Sequence, residues 1–182
     1  MRTIKTLNLV TYILLAVVAA FVLYYTFQKK EPINAEIALA QVAVQAPLME
    51  INLGLRDSIV AYGMEYLGTP YVTAGCSKNG FDCSGFVYFV FQHFNIEVPR
   101  SSAAFEDFGT EIPIEAVEKG DVLLFLSPTR DAIGHIGIVT EPKGMESEFI
   151  HATSGREMQV VVTPLSNDGY TRRFVKAIRV AE

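Results

Sequence analysis

Residues 80–87 read Gly80-Phe81-Asp82-Cys83-Ser84-Gly85-Phe86-Val87 and join two kinds of local structure. Upstream, residues 71–81 are loop-like, with Asn79-Gly80 as a turn signal. Downstream, Phe86, Val90 and Phe94 recur every four residues and predict a helix, with Val98-Pro99 as its stop. Asp82 is a good N-cap, which places Cys83 in the first turn. Unpaired backbone N–H groups and the helix dipole favour negative charge there. The expectation is a thiol of lowered pKa, with backbone donors ready for an oxyanion. The plainer reading of Cys83 is a small buried apolar residue, the usual fate of a free cysteine.

Working outward, Leu55, Ile59, Tyr62, Met64 and Leu67 recur at roughly helical spacing, and Gly68-Thr69-Pro70 ends that helix. Ser101 or Ser102 can cap a short helix through Phe108. After Pro113 the texture changes. Residues 122–126, 136–140, 148–152, 159–163 and 174–180 are β-branched and aromatic runs of strand length, separated by turn-forming clusters. Helices first and an antiparallel sheet second define an α+β domain, not a βαβ repeat.

A nucleophilic thiol needs a base. His135 lies in Gly134-His135-Ile136-Gly137-Ile138-Val139. On a strand, His135, Gly137 and Val139 share one face and the isoleucines the other. The expectation is that Ile136 and Ile138 face the core and that Gly137 leaves a cleft open beside His135. His151, in Phe149-Ile150-His151-Ala152, is also on a strand, and pairing of the two strands would let it orient His135. His93 is expected to be a surface or packing residue, since it lies ten positions beyond Cys83 on the same helix. The spacings Cys-x6-Cys and His-x15-His match no compact zinc pattern, so no metal and no cofactor is expected. Cys76 is read as an unpaired loop thiol. A permanent Cys76–Cys83 disulfide would consume the nucleophile, and a reversible redox lock is the remaining alternative.

The amino-terminal part is of another kind. Leu7–Phe27 contains 21 residues without a charge, enough to span a bilayer core, and Tyr24 and Tyr25 suit its interface. The expected organisation is an amino-terminal segment at 1–6, a transmembrane signal-anchor helix at 7–27, a linker at 28–50 with an optional short helix at 35–44, and a globular domain at 51–182. Cleavage as a signal peptide, in which case the domain is secreted, and a buried helix of a soluble protein are the alternatives. Four of the 15 basic residues (Arg2, Lys5, Lys29 and Lys30) flank the apolar run, and no acid precedes Glu31. The rest of the chain therefore carries 11 basic against 20 acidic side chains, which excludes a nucleic-acid footprint. The flanking charges nearly balance and do not set orientation.

Three groups of residues together resemble the NlpC/P60 cell-wall peptidases. They are Tyr66-Leu67-Gly68-Thr69-Pro70-Tyr71 with Gly80–Val87; Val98-Pro99-Arg100-Ser101-Ser102; and Lys119–Phe125, Gly134–Val139 and Phe149–Ala152. The resemblance covers roughly residues 55–180. It implies a compact papain-like fold of helices on a small antiparallel sheet. It also implies a cysteine peptidase with Cys83 as nucleophile, His135 as base and then acid, and His151 as the orienting third residue. Tyr71, Asp82 and Ser84 match positions that line the substrate groove in the family. The implied substrate is the peptide stem of bacterial peptidoglycan, cut next to D-Glu or at the D-Ala–diaminopimelate cross-link. A monomer is expected, with no wall-binding domain beyond the tether and the catalytic domain outside the cytoplasmic membrane. One departure is Gly75-Cys76, where the family commonly has Gly-Gly, so that a side chain is expected to narrow the groove or alter specificity. Two other readings stay open: a membrane-tethered binder of wall peptides, and a thiol amidase or acyltransferase acting on another amide.

Overall fold

A computed structural model describes residues 4–28 and 54–181. The linker, its optional helix at 35–44 and residues 1–3, 51–53 and 182 lie outside the described residues. The chain divides into two units, each taken by itself. The first contains helix α1, Ile4–Gln28. At about 1.5 Å per residue this helix exceeds the hydrocarbon thickness of a bilayer. Its window Thr11–Gln28 is apolar enough to cross one by length and composition. Thr26, a polar residue in that window, bonds back to the Val22 carbonyl at 2.9 Å, so its hydroxyl needs no water.

The second unit is α+β, as expected. Helix α2 is Leu55–Met64. A two-stranded hairpin, β1 (Cys76–Ser77) and β2 (Gly80–Phe81), turns through Lys78-Asn79 inside the stretch read as loop. Helix α3 is Cys83–His93. It stops well before Pro99 because Asn95 takes a left-handed conformation (φ 57°) and closes the helix end. Ser101 caps a short 3₁₀ turn, Ser102–Phe105. The strands β3 (Thr110–Ile112), β4 (Val122–Leu126), β5 (Ile133–Glu141), β6 (Glu148–Ala152), β7 (Val160–Pro164) and β8 (Phe174–Arg179) form one sheet in the order β3-β8-β4-β5-β6-β7. Every neighbouring pair is antiparallel. A short helix α4, Asp168–Thr171, precedes β8.

The sheet is buried on both faces. One face packs with Phe86, Val90 and Ile59 through Val122, Leu124, Ile136, Ile138 and Ile150. The other carries a second, smaller core of Leu123, Phe125, Val139, Phe149 and Leu165. This explains why β4 is an unbroken apolar run, Val-Leu-Leu-Phe-Leu, with no polar face. It also corrects the expectation of an open cleft beside Gly137. A Cβ on Gly137 would lie 2.5 Å from the Phe149 ring and 3.0 Å from His151 Cβ. The missing side chain is filled by neighbours on β6. Six phenylalanines are fully buried, each contributing about 1.5–3 kcal/mol of burial free energy. Buried Asp121 ties the edges together, bonding Arg56 of α2 at 2.9 Å and Arg179 of β8 at 3.0 and 3.1 Å.

Candidate active site

The start of α3 positions Cys83, the expected nucleophile. Asp82 is extended (φ −88°, ψ 175°), and its Oδ1 accepts from the Gly85 N–H at 2.6 Å, as an N-cap does. Gly85 has no room for a side chain, because a Cβ there would sit 2.0 Å from the Gly75 carbonyl oxygen. The first turn is thus pressed onto the hairpin, which sets the direction of Cys83. Its Sγ lies 3.8 Å from the Gly134 carbonyl oxygen, beside His135 in sequence.

The histidines come from adjacent strands. His135 Nε2 and His151 Nδ1 are 2.9 Å apart, with rings nearly perpendicular at 89°. His151 is fully buried and its Nε2 is 3.0 Å from the Thr163 hydroxyl on β7. Phe149 stacks on His151 at 4.6 Å, and Tyr170 meets both rings edge-on, each at 5.1 Å. The Gly137 gap lets His135 reach across β5 to β6. The chain of bonds favours one tautomer arrangement. His135 Nε2–H donates to His151 Nδ1, His151 Nε2–H donates to Thr163, and His135 Nδ1 is left as the basic nitrogen.

Charge follows burial here. Desolvation, and then the Arg173 guanidinium, push His135 down to about 3. Burial, His135 and Arg173 hold His151 well below the usual imidazole range. Cys83 moves the other way. Burial and the Asp82 carboxylate raise its thiol above 9.0, outweighing the N–H groups of Ser84, Ile136 and Cys83 that favour thiolate. The expectation of a lowered thiol pKa is therefore corrected: the helix start is present, but desolvation dominates. Both shifts favour the uncharged forms, neutral thiol and neutral imidazole.

Cys83 opens on a cavity of about 490 Å³ whose walls include Tyr71, Asp82, Ser84 and Arg100. Tyr71, Asp82 and Ser84 thus stand together beside the sulfur. Burial raises the Tyr71 hydroxyl pKa, keeping it a proton donor. Arg100, which the sequence reading left without a role, holds the cavity wall. It bonds Asp82 Oδ1 at 2.9 Å and Oδ2 at 3.0 Å, Ser84 at 3.1 Å, and the Ala74 and Gly75 carbonyls at 3.0 and 3.1 Å. Its signal in the sequence is slight, one arginine in Val98-Pro99-Arg100-Ser101-Ser102. Thr163 left no signal at all, since its partner is known only once β6 and β7 are in register. Cys76 and Cys83 are both free thiols. Cys76 Sγ points to the Gly85 carbonyl at 3.5 Å and is absent from the cavity wall, which corrects the expectation that it narrows the groove. His93 is exposed and stacks on Tyr62 at 3.8 Å, a packing role as expected. Among the described residues no three His, Cys, Asp or Glu side chains gather into a metal-binding group.

A cysteine at a helix start facing a strand-borne histidine pair is the layout of a thiol-dependent hydrolase. The chain belongs to the NlpC/P60 family, whose sequence profile matches residues 68–179. The gamma-D-glutamyl-L-lysine dipeptidyl-peptidase of Bacillus cereus is 31% identical over 131 residues, which cover 71% of this chain and 38% of that enzyme. The murein DD-endopeptidase MepH of Escherichia coli is 34% identical over 122 residues, 64% of this chain and 43% of its own length. The chain thus spans less than half the length of these two relatives. Among solved structures, an NlpC/P60 family protein from Bacillus cereus superposes with a TM-score of 0.64 at 28% identity, covering 72% of this chain and 42% of that one. The NlpC/P60 domain of the peptidoglycan hydrolase SagA superposes at 0.57 with 29% identity, covering 69% of this chain and 99% of that domain.

Proposed function

We propose that this protein is a membrane-anchored cysteine peptidase that hydrolyses an amide bond in peptidoglycan stem peptides, through Cys83, His135 and His151. The observation that carries the reading is the 2.9 Å His135–His151 bond beside a capped helix start bearing Cys83. The names of the relatives support the wall peptide as substrate.

His135 Nδ1 takes the Cys83 proton as the sulfur attacks the amide carbonyl and a C–S bond forms. The Cys83 N–H at the helix start and the Tyr71 hydroxyl receive the oxyanion. His135 returns the proton to the amine nitrogen, the C–N bond breaks, and a thioester remains. His135 then deprotonates a water, which attacks the thioester; the acid leaves and the thiol re-forms. His151, oriented by Thr163, holds the His135 ring throughout.

Helix α1 supports anchoring, with residues 1–6 inside and the catalytic unit outside, where the wall lies. The test is digestion of purified peptidoglycan by the full chain in detergent, with mass analysis of the fragments. Fragments that end at one stem-peptide amide support the reading and identify the bond. An intact wall, with Cys83 inert to a thiol-reactive probe, overturns it in favour of a wall-peptide binder.

A further inference from the structure

A second cavity, of about 340 Å³, opens on the His135 side of the site. Its walls include His135, Gly134, Ser154, Tyr170 and Arg173. In an acyl transfer the group that protonates the leaving amine must lie on that amine's side. The cavity beside His135 therefore faces the departing half of the substrate, while the Cys83 cavity faces the acyl half.

Arg173 distinguishes this cavity. Its Nε donates to the Gly169 carbonyl at 2.7 Å and its Nη1 to the Leu126 carbonyl at 3.1 Å. The guanidinium lies over the Tyr170 ring, 5.1 Å from its centre. These contacts fix its orientation and leave its charge in place. Among the described residues no carboxylate forms an ion pair with it; Glu157, an exposed acid beside Gly155, does not. The arginine of the Cys83 cavity differs, since Arg100 is paired with Asp82. An unmatched cation beside the base opposes the imidazolium that catalysis requires, and it lowers both histidines. An incoming anion would relieve that opposition. A guanidinium held by its Nε and one Nη is suited to a carboxylate.

Resting on the peptidase reading above, we propose that the Arg173 cavity is the leaving-group subsite and binds a free carboxylate carried by the amine half of the substrate. Substrate binding then completes the base: the carboxylate offsets Arg173, and His135 becomes easier to protonate as the thiol attacks.

The experiment uses the full chain in detergent and two synthetic stem peptides. They share the acyl half and the scissile bond, and differ only in a free carboxylate or a carboxamide on the amine fragment. The wild type is expected to cut the free acid about 10- to 100-fold faster in kcat/KM, the range for one charged hydrogen-bonded contact. In Arg173→Gln that ratio should collapse toward one, and Arg173→Lys should keep part of it. The ratio within one variant is insensitive to loss of folded protein, which lowers both rates alike. Equal rates on both peptides with wild type, or an unchanged ratio in Arg173→Gln, overturn the subsite while leaving the peptidase standing. Cleavage of neither peptide and no digestion of the wall overturn both.

Discussion

Arg100 lines the cavity that holds Cys83, and Arg173 lines the one that holds His135. Arg100 is met by both oxygens of Asp82, whereas Arg173 is met by backbone carbonyls and an aromatic ring. The difference separates architecture from reactivity. On the Cys83 side the charges cancel within the protein and hold a helix start in place. On the His135 side a cation is left over among neutral histidines, and it acts on their basicity.

The largest effect expected is loss of the reacting pair. Cys83→Ala and His135→Ala should each lower cleavage about 10⁴-fold or more, by analogy with removal of a nucleophile or base. Unchanged melting and far-UV dichroism would show the fold intact; substantial cleavage by Cys83→Ala would break the site apart as described. Next come the supports of the base. His151→Ala should cost about 10²- to 10³-fold and leave measurable turnover. Thr163→Val keeps the shape but removes the acceptor, and should cost about 10-fold in kcat with little change in KM. An equal loss in both variants would mean that Thr163 does more than hold a ring.

The Cys83 side should respond in stability. Asp82→Ala removes a cap and leaves Arg100 unmatched, at a cost of about 2 kcal/mol in urea unfolding of the second unit within the full chain. Arg100→Ala leaves the cap in place, so a smaller loss is expected. A larger loss in Arg100→Ala would reverse the roles given to the pair.

The smallest and most graded effect is in pH. Both histidines have folded pKa values below 6.5, so the unfolded chain binds protons that the folded chain refuses. Stability is fully present above about pH 6.5 and falls as pH drops from there toward the folded value. Urea midpoints across pH 7 to 4 should fall, and fall less in His151→Asn. The acid limb of kcat/KM for the free enzyme should lie well below 6.5, because His135 stays neutral there. An acid limb at or above 6.5 would show a charged resting pair and break the assignment.

Much of this was legible in one dimension. The Asp82 cap, the Cys83 helix, the two histidine strands and the apolar amino-terminal helix are local patterns with a fixed period. Such patterns depend on neighbours within a few residues. The misreadings share a cause. The open face beside Gly137 was filled by Phe149 and His151 from the next strand, and the side chain of Cys76 turned away toward Gly85. Both depend on register and packing, which spacing does not encode.

The amino-acid sequence by itself therefore determined the family and the order of elements, and it pointed to Cys83, His135 and His151 as the candidate site, because those rest on residue type and periodicity. Only the tertiary structure decided the His135–His151–Thr163 chain, the pairing of Arg100, the isolation of Arg173 and the upward shift of Cys83. These are sums over groups far apart in the chain. At half-buried Cys83, desolvation outweighs the helix-start field that the local sequence supplies.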